Sequence, residues 1–380
     1  MSQRAVVLGC GLVGATMARE LAAQPSFVVT VADVSDPNLR KVSQRAKVRT
    51  IQADLSDPKA VLKIAKEHDL VLGALPSRFG LQTLEAVIRA GKPYCDISFM
   101  PEDALALSAL AKEHKTTAVV DCGVSPGLSN VMVGYAAAHL DHVESAVIYV
   151  GGLPKVRRWP FDYKAPFAPS DVIEEYTRPA RMVQNSRVVT KAALSDPELI
   201  DFPQVGTLEG FNTDGLRSLL TTVKADNMGE KTLRYPGHCE VMRMLRETGF
   251  FQQEEIEIRG TRVRPLDVTS RLLFPRWTYE PGEEEFTVLR VVVEGRRGKT
   301  RVRHSFDLYD EYDKAEQTSS MARTTGFPCV IVAMMLVRGR LAKPGVHPPE
   351  ALALEDGLFS ELMEELRRRG VMIQHATEEL

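Results

Sequence analysis

From Arg4 onward the chain alternates short, nearly continuous apolar runs with longer amphipathic ones. The runs "RAVVLG", "FVVTVAD", "KVRTIQAD", "DLVLGAL", "KPYCDIS" and "KTTAVVDCG" read as six strands. Between them "LVGATMARELAAQ", "DPKAVLKIAKEH", "LQTLEAVIRAG" and "EDALALSALAKEH" carry helical spacing, the second behind Asp57 as a cap. Near-continuous apolar strands separated by helices belong to a parallel sheet covered on both faces. Residues 1–122 are therefore expected to form a doubly wound α/β domain.

The pattern changes after Cys122. "SPGLSNVMVGYAAAHL" reads as a helix with Ser125 as its cap and Pro126 in its first turn. "SAVIYVGGLP", "RMVQNSRVV", "TRVRPLDVTSRLL", "EFTVLRVVVEG" and "KTRVRHSFDLYD" then read as longer strands of a mixed or antiparallel sheet. Among them lie the Pro- and aromatic-rich loop "RRWPFDYKAPFAPSD" and the helical "HCEVMRMLRETG". The end, "SMARTTGFPCVIVAMMLVRGRL" and "LFSELMEELRRRG", is helical. Residues 123–380 are expected as an α+β domain whose last helices pack back on the first.

Composition narrows the classes. The 380 residues suffice for two domains and a large core. Lys and Arg number 48 against 50 Asp and Glu, a net charge of −2, so no nucleic acid or membrane surface is expected as a partner. No apolar run reaches the roughly 18–20 residues that span a bilayer, and "CVIVAMMLV" reads as a buried helix. The start, "MSQRAVVLGCGLVG", enters a strand at once and lacks the apolar core of a leader. Cys10, Cys95, Cys122, Cys239 and Cys329 form no Cys-x-x-Cys pair, so neither a disulfide framework nor a metal site is expected. Reduced, mostly buried thiols in a cytoplasmic protein are the expectation.

The stretch "GCGLVG" sets Gly9, Gly11 and Gly14 in Gly-x-Gly-x-x-Gly spacing, after a strand and at the opening of a helix. Asp33 follows 19 residues after Gly14, at the end of the second strand. That context is the dinucleotide fingerprint of a Rossmann domain. Gly9 allows the tight turn, Gly11 the approach of a pyrophosphate, and Gly14 close packing of helix on strand. Leu12 and Val13 lie in the first turn of that helix, whose N-terminus favours the anion. A carboxylate at Asp33 accepts the ribose hydroxyls and repels a 2′-phosphate, which favours NAD over NADP. Asp54, Ala74, Leu75 and Pro76 follow the third and fourth strands and are candidate cofactor contacts. Asp54 serves equally as a plain turn residue.

With "GCGLVG", "PYCDIS", "DCGVSPGLSN", "GEKTLRYPGH" and "SMARTTGFP" in this order, the chain resembles the saccharopine dehydrogenase-like family, and within it the lysine 6-dehydrogenase group. The resemblance implies a Rossmann domain, an α+β substrate and dimerisation domain, a homodimer, and chemistry at a carbon–nitrogen bond. That group uses NAD to oxidise the ε-amino carbon of L-lysine, giving piperideine-6-carboxylate and ammonia. A saccharopine- or carboxynorspermidine-type dehydrogenase is the enzyme alternative, with Arg178, Arg181 and Arg187 available for a second carboxylate. A non-catalytic NAD sensor is the alternative from another class.

Amine oxidation requires an unprotonated nitrogen, and an alkylammonium has a pKa of about 10.4. Candidate proton acceptors are Asp96 and Asp121, at the carboxyl ends of the fifth and sixth strands, and His238. Asp121 also reads as a carboxylate holding the amides of the next helix, and His238 as a structural histidine. In "LRYPGH" Arg234, followed by Tyr235 and a Pro-Gly turn, reads as a bidentate clamp for a substrate carboxylate or as the partner of a structural carboxylate. Tyr94, Glu209 and Asn212 complete the substrate candidates. The loop containing Trp159 reads as a lid or as a packing element.

Overall fold

The computed structural model describes residues 2–380, and the chain forms two compact units. One runs to Ala138 and resumes over Met321–Met372; the other comprises His139–Ser320 and Ile373–Leu380.

The first unit is built on strands β1 (Gln3–Leu8), β2 (Phe27–Asp33), β3 (Val48–Gln52), β4 (Leu70–Gly73), β5 (Tyr94–Asp96) and β6 (Thr117–Val119). A further strand, β17 (Gly345–His347) in numbering along the whole chain, pairs with β6. The order β17-β6-β5-β4-β1-β2-β3 is parallel throughout. Val6, Leu8, Val71, Leu84, Val87 and Ile88 pack into one core with helix residues such as Val61. That two-sided burial is why the strands read as unbroken apolar runs. The order reverses beside β1, so ligands are expected at the carboxyl ends of β1, β2 and β4. The helix Ser320–Val337 is long and apolar enough to cross a membrane, but 78% of it is buried inside the protein. Gly326 brings it against Met17, and Cys329 sets it beside β5.

The second unit is built on β7 (His142–Pro154), β8 (Ala180–Gln184), β9 (Arg187–Lys191), β10 (Glu198–Phe202), β11 (Gly206–Asn212), β12 (Ala225–Arg234), β15 (Glu285–Arg297), β16 (Thr300–Glu311) and β18 (Ile373–Glu379). They form one nine-stranded sheet along β10-β11-β12-β7-β15-β16-β18, with the β8–β9 hairpin joined through β12. Among the described residues of this sheet only β12 and β7 pair in parallel. Alternating burial along β15 and β16 marks a sheet with one face on a core and one towards solvent. A small hairpin, β13 (Ile256–Ile258) with β14 (Thr261–Val263), stands apart from that sheet.

Three sequence readings change here. "TRVRPLDVTSRLL" is no long strand: after β14 it becomes the helix Pro265–Trp277. Pro265 occupies the first helical position, where a missing N–H costs nothing, and Thr269, Leu273 and Trp277 supply the buried face at helical spacing. The helix after β6 begins at Leu128, and Gly127 N donates to Asn130 Oδ1 rather than Ser125 serving as the cap. Neither β17 nor β18 was legible. Each is a short stretch whose strand character comes from a neighbour distant in sequence.

Candidate active site

The nucleotide end of the first unit is built by close approach of backbone. Gly9 has φ +102°, and a Cβ there would overlap Ala74 O. A Cβ on Gly14 would overlap Gly9 O, so the helix Leu12–Ala22 sits on the turn only without a side chain. Gly11 differs: its φ is −71°, and a Cβ would meet nothing within 4 Å. Neither packing nor backbone conformation explains that glycine, whereas room for a pyrophosphate does. Gly11 caps the helix without a side-chain bond, and no acidic residue lies in its first turn, so the amides of the Leu12–Val13 turn favour an anion. The residues present fit a dinucleotide.

Asp33 stands at the end of β2, with Oδ2 accepting from Cys10 N at 2.5 Å and Oδ1 from Ser35 N at 2.7 Å. Each oxygen keeps a second lone pair for a ribose hydroxyl. The nearby Arg40 pairs with Asp36 on its own helix at 2.7 Å. Asp54 is exposed, and its Oδ1 accepts from Ser56 N and Oγ at 2.9 and 2.6 Å, the geometry of a local turn. Those bonds lower its pKa. Ala74, Leu75 and Pro76 lie half-buried just past β4, with Ala74 N held by Leu8 O at 2.8 Å.

Tyr94, Asp96 and Asp121 come together at the carboxyl ends of β5 and β6. Asp96 is 1% exposed. Its Oδ1 accepts from Tyr94 Oη at 3.0 Å and its Oδ2 from Ser98 Oγ. A Cβ on Gly73 would overlap both the Tyr94 hydroxyl and Asp96 Oδ1, so the glycine before Ala74 makes room for this pair. Burial raises the Asp96 pKa to about 7, with the nearby Asp121 adding to the rise against the pull of the Ser98 and Tyr94 bonds. Asp121 itself is buried, with φ +52°.

Cysteine spacing carries no signal in the sequence, yet Cys95, Cys122 and Cys329 meet around Asp96. Cys122 and Cys329 are hydrogen-bonded, and all three are buried and free. Their thiol pKa values are raised, for Cys122 first by the bond to Cys329 and for Cys95 and Cys329 first by burial. Held protonated in this way, they are not nucleophiles.

In the second unit Arg234, at the end of β12, is 2% exposed and bonded on almost every side. Nη2 donates to Glu175 Oε2 at 2.5 Å and to Tyr163 Oη at 3.3 Å, Nε to Tyr176 Oη at 3.2 Å, and Nη1 to Leu233 O at 2.9 Å. The guanidinium carbon lies 4.2 Å from the Tyr163 ring centroid. Four of its five N–H groups are thus used, and a two-pronged grip on a substrate carboxylate would require displacing Glu175. The structure therefore corrects the clamp reading in favour of an internal ion pair. Glu175 escaped the sequence reading because nothing in "DVIEEYT" places it 59 residues away beside Arg234.

His238 is also corrected as a proton acceptor. Nδ1 lies 2.8 Å from Phe161 O and so carries the hydrogen, while Nε2 lies 2.9 Å from Tyr176 Oη and accepts from it. Burial, then the charge of Arg234, lowers its pKa to about 3. The remaining substrate candidates have structural partners. Glu209 Oε2 accepts from Gly237 N and Cys239 N, capping the helix His238–Glu247. Asn212 Nδ2 donates to Ser195 Oγ and Asp196 Oδ2, and Tyr235 Oη to Pro154 O. In the aromatic loop Trp159 is 89% exposed, while Tyr163 packs against Trp277.

A parallel sheet in this order, a glycine turn open to phosphate and a carboxylate ending the second strand define a pyridine-nucleotide-binding dehydrogenase fold. Residues 5–119 match the saccharopine dehydrogenase NADP binding domain and residues 123–371 the saccharopine dehydrogenase C-terminal domain. The chain belongs to the saccharopine dehydrogenase family. It is 27% identical over 347 residues to carboxynorspermidine synthase of Vibrio cholerae, covering 83% of this chain and 80% of that protein. It is 22% identical over 453 residues to the NADP(+), L-glutamate-forming saccharopine dehydrogenase of Saccharomyces cerevisiae, covering 99% of this chain and 100% of that one. The solved apo structure of saccharopine dehydrogenase (L-Glu forming) from Saccharomyces cerevisiae superposes with a TM-score of 0.81 at 18% identity, over 99% of this chain and 100% of that one, a likeness of fold.

Proposed function

We propose that this protein is an NAD-dependent amine dehydrogenase that oxidises the ε-amino carbon of L-lysine. The observation that carries the reading is Asp96: a carboxyl group fully buried at the carboxyl end of β5, raised to a pKa of about 7 by that burial. A base poised near the working pH is what removal of a proton from an alkylammonium calls for.

A nicotinamide dinucleotide bound at the glycine turn supplies the hydride acceptor. Asp96 takes the proton from the ε-ammonium, and the Tyr94 and Ser98 hydroxyls hold the carboxylate in place. Loss of hydride from the ε-carbon leaves an imine, the α-amino nitrogen closes on it, and ammonia departs. The balance is one lysine and one NAD+ to one piperideine-6-carboxylate, one ammonium ion, one NADH and one proton.

Two observations favour this substrate and cofactor. Asp33 lies where a 2′-phosphate would meet negative charge, and Arg40 is paired with Asp36. A substrate with further carboxylates calls for further positive charge, yet Arg178 pairs with Glu174 at 3.2 Å and Arg181 grips Asp214 through two bonds of 2.9 and 2.8 Å. The second reading, a saccharopine- or carboxynorspermidine-type dehydrogenase, draws on the likeness in sequence to carboxynorspermidine synthase and saccharopine dehydrogenase. The test is formation of reduced cofactor with L-lysine, saccharopine and carboxynorspermidine, each with NAD and NADP, and with a trap for the cyclic imine. Turnover of lysine with NAD and trapped imine is the expected result. Turnover confined to either larger substrate establishes the second reading, and nucleotide binding without turnover of any amine makes the protein a sensor.

A further inference from the structure

We propose that a cleft at the amino ends of β1, β2 and β3 binds a free α-amino acid with an apolar side chain, at a site separate from the nucleotide end. The cleft has a volume of about 490 Å³, and Arg4, Val28, Thr30, Arg49, Ile51 and Glu67 are among the residues that line it. Clefts of this size hold small molecules. It exists because the sheet outruns its cover. The register sets Arg4 beside Val28 and Thr30 beside Arg49, so by the alternation of a strand Arg4, Val28, Thr30, Arg49 and Ile51 share one face. Further along that face Val6, Leu8 and Ala32 are buried with Val61 and Ile64 of the helix Pro58–Lys66. Towards the amino ends that cover stops, and Val28 remains exposed.

Most polar groups of the cleft are already engaged. His68 Nδ1 donates to Ile64 O at 2.7 Å and its Nε2 lies 3.0 Å from Thr30 Oγ1, so neither ring nitrogen is left for a ligand. Arg4 is held by Asp69, which accepts from its backbone N at 2.9 Å and from Nη2 at 3.1 Å. Arg49 and Glu67 remain. Both are exposed, and neither forms an ion pair with any described residue. They stand on different sides of the cleft. Glu67 follows the helix and its charge acts on Arg4 of β1, whereas Arg49 lies two strands away on β3.

An unpaired guanidinium on one side, an unpaired carboxylate on the other and Val28 and Ile51 between them are complementary to a zwitterion. The carboxylate of an α-amino acid takes hydrogen bonds from Arg49, and its ammonium faces Glu67. Its side chain covers Val28 and Ile51, where a charge would lie on apolar surface without a partner. A phosphate or a dicarboxylate would bring two negative charges to one free cation and would meet Asp69 and Glu67 besides. The cleft is not the catalytic site. Arg4 and the Gly9 turn lie at opposite ends of β1, roughly 16 Å apart for an extended strand. The inference therefore stands apart from which amine the enzyme oxidises.

The experiment is isothermal titration calorimetry of the full chain with L-leucine, L-leucinamide and N-acetyl-L-leucine. L-Leucine is expected to bind with a dissociation constant below about 1 mM. L-Leucinamide lacks the anion and N-acetyl-L-leucine the cation, and each is expected to bind about tenfold more weakly, the loss of one charge-assisted contact. Arg49→Gln is expected to weaken L-leucine by about the same factor while leaving L-leucinamide unchanged. Glu67→Gln is expected to weaken L-leucine while leaving N-acetyl-L-leucine unchanged. Both residues are exposed, so neither variant disturbs the core, and thermal unfolding checks this. No binding of L-leucine up to about 10 mM overturns the proposal. So does binding that neither variant weakens, which would place L-leucine in the amine site instead.

Discussion

Asp96 and Arg234 are both ionisable side chains buried almost completely, one in each unit, and their surroundings differ in one respect. Arg234 is compensated: Glu175 neutralises it, two tyrosine hydroxyls accept from it, and a backbone carbonyl takes a fourth N–H. Asp96 receives the Tyr94 and Ser98 hydroxyls and the Ser98 amide, all uncharged donors, and the nearby charged group, Asp121, is of like sign. A buried charge with its partners in place is a fixture. A buried carboxyl without a cation sits near its point of protonation, where it can exchange a proton at neutral pH. Burial alone thus distinguishes neither site; the partners do.

The most forceful way to break this contrast is Asp96→Asn. Loss of a positioned base is expected to lower kcat with lysine and NAD by about 10²- to 10⁴-fold, while thermal unfolding at neutral pH stays within a few degrees of wild type. A variant within tenfold of wild-type kcat would remove Asp96 from the chemistry. Next is Arg234→Met, which leaves Glu175 buried without its cation and is expected to cost about 3–5 kcal/mol in urea unfolding. Adding Glu175→Gln should restore a large part of that loss. If the double variant recovers stability but its KM for lysine remains raised tenfold or more, Arg234 holds substrate as well as structure.

Two pH measurements sharpen the comparison further. The profile of kcat/KM should rise with pH through a midpoint near 7, set by the Asp96–Asp121 pair, and His238→Asn should leave that midpoint in place, because His238 is neutral across the range. Glu230 supplies the second, on stability. Burial raises its pKa from 4.5 to about 8 in spite of the Thr213 bond. A carboxyl raised in the folded state binds its proton more tightly there than in the unfolded chain. Stability therefore falls as pH rises from about 4.5 to 8, by up to about 1.4 kcal/mol per pH unit for this group. Urea midpoints for Glu230→Gln should show a shallower decline over that range.

The nucleotide end was legible because its signals are local. Gly9, Gly11, Gly14 and Asp33 lie within one strand–helix–strand unit, and each acts through backbone geometry that spacing reveals. Asp96 and Asp121 were placed correctly at strand ends by the same local periodicity. The Arg234 nest was legible only as a list of polar residues in "LRYPGH". Its partners Glu175, Tyr163 and Tyr176 come from a loop and a helix 58 to 71 residues earlier. Arg234 and His238 changed from reagents into fixtures once those partners were known. The helix Pro265–Trp277 was misread because the alternating Arg and apolar residues just before it, from Thr261 to Arg264, imitate the start of a longer strand.

The sequence by itself determined the doubly wound sheet, the open glycine turn and the carboxylate at the end of β2. These follow from apolar periodicity and steric demands between near neighbours. Tertiary structure alone decided which charges are compensated, that three scattered cysteines come together near Asp96, and that β18 ends a sheet. Solvation and charge pairing depend on what lies within a few ångströms in space, and chain spacing does not encode that distance.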